Sequence, residues 1–153
     1  MLEATEALLA EGVSYTELNI ERIATRAGIS RTAFYFYFRD KRELLLRLTE
    51  DVVDELYRQG DIWFSGGGEP AAELREALSN IAALYRENGA VLGAIVQAAA
   101  TDDEVAVFWH AILDRFVGAT TTRIEELQRS GRAVVREDAR AGRGAFPAEG
   151  QPR

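Results

Sequence analysis

The sequence predicts an all-α protein, with an N-terminal three-helix unit of the helix-turn-helix kind followed by a second helical unit. Three observations carry that reading. Apolar residues recur at steps of three and four through most of the chain, the period of one helix face. No segment alternates with period two, as a half-buried strand would. Residues 19–47, NIERIATRAGISRTAFYFYFRDKRELLLR, read as two short helices joined by a tight Gly-containing turn, then the capped start of a third.

Composition narrows the class. With 153 residues, 47% of them hydrophobic, the chain is long enough for one substantial core or two small ones. The lack of Cys excludes a disulfide framework and a thiolate metal site. The opening MLEATEALLAEG has no basic region and no unbroken apolar stretch, so it does not read as a signal peptide. No run approaches the roughly 18 apolar residues of a membrane span. A cytoplasmic protein is expected.

The net charge of −7 argues against nucleic acid until its distribution is considered. Residues 19–48 hold seven basic side chains (Arg22, Arg26, Arg31, Arg39, Lys41, Arg42 and Arg47) against Glu21, Asp40 and Glu43, a balance of +4. Residues 49–104 hold twelve acids against Arg58, Arg75 and Arg86, a balance of −9. A local basic patch is the electrostatic footprint of DNA binding, although the same charges also suit an ordinary solvated helix face.

The first helix covers residues 1–11, with a narrow seam of Met1, Ala4, Thr5 and Leu8, and ends at Gly12. Val13, Tyr15 and Leu18 of the connection can cover the core of the three-helix unit. In the second helix Ile20, Ile23, Ala24 and Ala27 share one face; Asn19 caps its start and Gly28 permits the positive φ that ends it. Ser30 caps a third helix expected from Arg31 to Phe38. Its five consecutive aromatics, FYFYF, would also suit a buried strand. Caps on both sides and the lack of a partner strand favour a helix, with some aromatics facing inward and the tyrosines and Arg31 facing a ligand. Asp40 and Glu43 form a variant capping box at the start of the fourth helix.

The fourth helix is expected from Lys41 to about Gln59, with Leu44, Leu48, Val52 and Leu56 as its stripe and Gly60 as its breaker. Residues 61–68 then read as a loop. Ser65-Gly66-Gly67-Gly68 lacks the Lys-Ser or Lys-Thr and the preceding strand of a phosphate-binding loop. The fifth helix starts near Pro70 and buries Leu74, Leu78, Ile81 and Tyr85, and Asn88-Gly89 closes it. The sixth, in AVLGAIVQAAA, is apolar on nearly every side and so expected to be central. The seventh carries Val105, Phe108, Trp109, Ile112, Leu113 and Phe116, continued by Ile124 and Leu127. From Gly131 the Gly/Pro-bearing tail has no apolar period and reads as disordered.

The motif GISRTAFYFYFRDKRELL resembles the DNA-binding domain of TetR-family transcriptional regulators, matching its pattern at Gly28, Ile29, Ser30, Thr32, Phe34, Tyr35, Phe38, Lys41 and Leu44. The aromatic run and EVAVFWHAILDRF are similar to the EthR-like branch. The resemblance implies three domains: residues 1–47 as the DNA-binding unit (motif about 19–38), residues 48–130 as an incomplete ligand-binding or regulatory unit, and residues 131–153 as the tail. It implies that Arg31, Thr32, Ala33 and Phe36 belong to the surface facing DNA, while Tyr35, Tyr37 and Lys41 hold phosphates. It also implies a pocket for an apolar inducer lined by Trp63, Phe64, Tyr85, Phe108, Trp109 and Phe116, although core packing accounts for those aromatics equally well. The expected partners are a double-stranded DNA operator and a second subunit. Set against the family pattern, a basic arm before the first helix and the two helices that usually build the dimer are expected to be missing. The outer faces of the sixth and seventh helices are left as candidates for that interface. A second reading, a truncated helical module that pairs with a full-length relative or is inactive alone, therefore stands beside a ligand-responsive repressor.

Nothing in the sequence supports an enzyme or a cofactor. His110 is the only histidine, too few for a zinc site. Asp102, Asp103 and Glu104 sit at a helix start, where acids favour the macrodipole. The serines stand in no nucleophile context.

Overall fold

The computed structural model describes residues 1–132, which form seven helices and no strand. They are α1 (Leu2–Ala10), α2 (Ile20–Ala27), α3 (Arg31–Phe34), α4 (Lys41–Phe64), α5 (Pro70–Glu87), α6 (Gly89–Ala99) and α7 (Asp103–Arg129). The tail expected to be disordered lies, from residue 133 on, outside the described residues.

One core joins the first three helices to the second unit, and a smaller separate cluster of Trp63, Ala77 and Leu127 lies at the far end. Leu8, Leu9, Leu18, Ile23, Phe34, Leu44, Leu45 and Leu48 join Val91, Leu92, Ile95, Ala98 and Val105 without a break. The first three helices therefore rest on the same apolar mass as α6 and the start of α7, and α1 packs directly on α6. α6 is central as expected: Val91, Leu92, Ala94, Ile95 and Ala98 are buried. Its apolar excess is consequently not an open face, and Val96 is its one large exposed apolar side chain.

Several boundaries and faces differ from expectation. α3 is helical only to Phe34, not Phe38. Beyond it the N–H groups of Tyr35, Phe36 and Tyr37 donate three residues back, to Thr32, Ala33 and Phe34, so the last turn tightens before Asp40 restarts a helix. α4 passes through Gly60 and continues to Phe64. Gly60 is buried, and a Cβ there would lie 2.8 Å from the Phe64 ring; the missing side chain makes room for that ring rather than breaking the helix. Trp63 and Phe64 thus belong to a helix, not a loop.

The Leu74, Leu78, Ile81, Tyr85 stripe of α5 turns largely outward, and the residues α5 buries are Glu73 and Ala77. The reason is a buried ion pair. Glu73 receives the Arg123 Nη2 of α7 at 3.0 Å and also accepts from the Gly68 N–H, which rotates the apolar stripe toward solvent. On α7, Leu113, Val117 and Ile124 are likewise exposed on one face.

Candidate nucleic-acid interface

Short-range chemistry fixes the segment from Asn19 to Asp40. The Asn19 side chain accepts from the Arg22 N–H at 2.9 Å and starts α2. Gly28 ends it at φ +68°, with its own N–H and that of Ile29 bonded back to Thr25 and Ala24. Ser30 Oγ accepts from the Ala33 N–H at 3.0 Å. Asp40 caps α4 by accepting from the Glu43 N–H at 2.8 Å, while Glu43 reaches back past it to the Arg39 N–H at 2.6 Å. The Arg39 N–H, and after it the Arg39 side chain, hold the Glu43 carboxyl below the usual carboxylate range.

α3 itself is pinned from beneath. Phe34 is fully buried and packs on the rings of Phe38 and Tyr35 at 5.8 and 5.6 Å. That burial pushes the rest of the aromatic run outward: Tyr35 is 47%, Phe36 84% and Tyr37 69% exposed. Arg31 and Thr32 are exposed as well, and Ala33 is half-buried. Of the seven residues expected to face DNA, five are exposed on this braced stub and a sixth, Ala33, is half-buried there. Arg31 also lines a cleft of about 530 Å³ with Asn19, Glu21, Asp40 and Lys41.

Lys41 departs from expectation. Its ammonium donates to the carbonyl oxygens of Tyr15 and Leu18, both at 2.9 Å, and lies 4.4 Å from the centre of the Tyr15 ring. Burial lowers its pKa. Two of its three N–H groups are committed to the chain, so Lys41 ties the α1–α2 connection to α4 instead of standing free as a phosphate ligand.

The basic patch is also partly neutralised. Arg26 pairs with Glu11, Arg39 with Glu43, and Arg47 with Glu50 and Asp51. Arg42 Nε reaches Asp102 at 2.8 Å and its Nη1 reaches Glu104, linking the start of α4 to that of α7. Of the seven cations, Arg22, Arg31 and Lys41 form no ion pair among the described residues, and Lys41 is held by the Tyr15 and Leu18 carbonyls.

The six aromatics expected around a pocket are not brought together. Trp63 packs with Ala77 and Leu127, Phe108 and Trp109 pack against the main core, and Tyr85 is half-exposed. Phe64 and Phe116 do meet, through Tyr57, whose ring stacks on Phe116 at 4.1 Å and lies 6.0 Å from Phe64. Tyr57 was not foreseen, nor was Arg115, which caps its other face at 3.7 Å. Steps of seven from Tyr57 to Phe64 along α4 were the available signal. The Tyr57 hydroxyl and Trp63 Nε1 are buried without a hydrogen-bond partner. No group of three His, Cys, Asp or Glu among the described residues is placed to hold a metal ion, and none of the described helices is long and apolar enough to cross a membrane.

Residues 1–48 match the family model for bacterial regulatory proteins of the tetR family, and residues 74–143 match that for the C-terminal domain of the transcriptional regulator EthR. By both models the chain is similar to regulators of the TetR family. Its similarity to curated members is spread along the sequence: it is 28% identical over 135 residues to the HTH-type transcriptional regulator EthR of Mycolicibacterium smegmatis, covering 85% of this chain and 60% of that one. For EthR of Mycobacterium tuberculosis the values are 29% over 136 residues, 85% and 61%. The chain thus spans about three fifths of the length of the curated relatives it matches. The TetR-family fold is also that of the solved regulator PfmR from Thermus thermophilus, at TM-score 0.74 and 22% identity over 93% of this chain and 78% of the other. A TetR-family regulator from Marinobacter aquaeolei gives TM-score 0.59 at 22% identity, over 85% and 67%.

Proposed function

We propose that this chain is a DNA-binding transcriptional regulator, working as a ligand-responsive repressor in the cytoplasm, and that it carries no catalytic step. Residues 1–47 read a double-stranded operator and residues 48–130 regulate that reading. The observation that carries the proposal is the exposed surface of Arg31, Thr32, Tyr35, Phe36 and Tyr37 on a stub held by the Asn19, Ser30 and Asp40 caps and by buried Phe34. Arg31 is positively charged and exposed beside the Tyr35 hydroxyl, within reach of a guanine edge, and the tyrosine hydroxyls suit phosphate oxygens. The test is selection of duplexes from a randomised library, then a binding assay on the selected sequence. Arg31→Ala should cost about 1–3 kcal/mol at one base pair if its contact is bidentate. Failure to enrich any sequence, or equal binding by the variant, overturns the assignment.

For the regulatory unit, the unpartnered Tyr57 hydroxyl in the cluster with Phe64 and Phe116, and the unpartnered Trp63 Nε1 beside Ala77 and Leu127, support an apolar inducer bearing a hydrogen-bond acceptor. A thermal-shift screen that also follows tryptophan fluorescence tests it. The second reading, an interaction module that pairs with an intact relative, draws support from the outward apolar stripes of α5 and α7. Sedimentation with and without the selected duplex separates that reading from a homodimer on DNA.

A further inference from the structure

We infer that Phe36 reads a thymine methyl group in the major groove, and that the operator carries a thymine at a fixed position for this reason. The inference rests on the DNA-binding reading above and goes beyond it by naming a base and the atom recognised. Phe36 is 84% exposed, the most exposed of the large apolar side chains in the described residues. A phenyl ring has neither donor nor acceptor, so it cannot hold a phosphate or a base edge by hydrogen bonding. The apolar feature that B-DNA offers in its major groove is the C5-methyl of thymine.

The surroundings fit that partner. Phe36 lies four residues after Thr32 and three after Ala33, so the Thr32 methyl, the Ala33 methyl and the ring share one side of the stub. The bond from the Phe36 N–H to the Ala33 carbonyl, at 3.3 Å, draws the ring's backbone over that pair. On either side, Arg31 with Tyr35 and the exposed Tyr37 supply the polar heads that would straddle the methyl. Burial of Phe34 below fixes the stub against the core, so Phe36 cannot fold inward without displacing it.

The experiment uses the full chain and a duplex selected from a random library, synthesised once with thymine and once with uracil, which keeps the base-pairing edge and lacks the methyl. Wild type should bind the uracil duplex about four-fold more weakly per contacted methyl, the worth of one buried methyl-sized group. Phe36→Ala should bind the thymine duplex weakly and show no further loss with uracil. Phe36→Leu, still apolar, should keep the discrimination. Circular dichroism checks that the variants fold. A wild type indifferent to uracil, or a Phe36→Ala that discriminates as wild type does, overturns the inference while leaving DNA binding intact. Affinity lost equally on both duplexes assigns the ring to the sugar–phosphate backbone and also overturns it. Failure of the wild type to enrich any duplex sinks the DNA-binding reading, and this one with it.

Discussion

Gly28 separates a backbone effect from a packing effect. It holds φ +68°, and a Cβ built there meets nothing within 4 Å. Gly28→Ala should therefore cost only the left-handed strain of an L-residue, about 1–2 kcal/mol, read from urea unfolding. Lys41 is a contrasting case. Lys41→Met keeps the apolar stem but deletes the donors to the Tyr15 and Leu18 carbonyls. It should lower stability by about 1–3 kcal/mol in the absence of any DNA, because two part-buried acceptors lose their partner. A lysine acting only on phosphate would leave denaturation unchanged. The two residues also show what a sequence can carry. Gly28, Asn19, Ser30 and Asp40 act on atoms within a few positions, so their roles were legible. The acceptors of Lys41 lie 23 and 26 residues upstream, and nothing local points to them.

At the scale of elements, helix starts were legible and helix faces less so. The caps at Asn19, Ser30 and Asp40 formed where expected, and Glu69 adds one for α5 by accepting from Ala71 and Ala72. The outward turn of α5 was not legible, because the Glu73–Arg123 pair that sets its rotation joins residues 50 apart. The same capping chemistry gives a pH dependence. Glu11 is held below its ordinary value of 4.5 first by the Arg26 side chain, Glu17 by Ser14, Glu43 by the Arg39 N–H and Glu69 by the Ala71 N–H. A carboxyl with a lowered folded-state pKa binds protons more readily when unfolded, so its contribution is complete above 4.5 and fades as pH falls through the lowered value. Thermal stability should accordingly be flat above that point with respect to these groups and decline below it. Glu43→Gln should show a shallower decline; an identical pH profile would remove Glu43 from the explanation.

For the molecule as a whole, helical class and order followed from periodicity alone, whereas the joining of both units by one core did not. Periodicity identifies which face is apolar, not which neighbour it meets, so the contact of α1 with α6 was invisible until the chain folded. The charge distribution shows the same limit. Seven cations in residues 19–48 look like a patch made for a polyanion, yet Arg26, Arg39, Arg42 and Arg47 are engaged with carboxylates of the chain and Lys41 with carbonyls. This sets how much of the binding energy comes from ions released into solution. DNA carries condensed counterions, and log K falls with log salt by about 0.9 for each phosphate a protein neutralises. With Arg22 and Arg31 as the cations left unpaired, the slope should be near −2 per bound chain, about a third of the roughly −6 that seven free cations would give. Affinity measured across a salt series decides it: a slope near −6 means the ion pairs open onto the phosphates, and a slope near −2 means binding depends mainly on fit, with little sensitivity to the ionic strength of the cell.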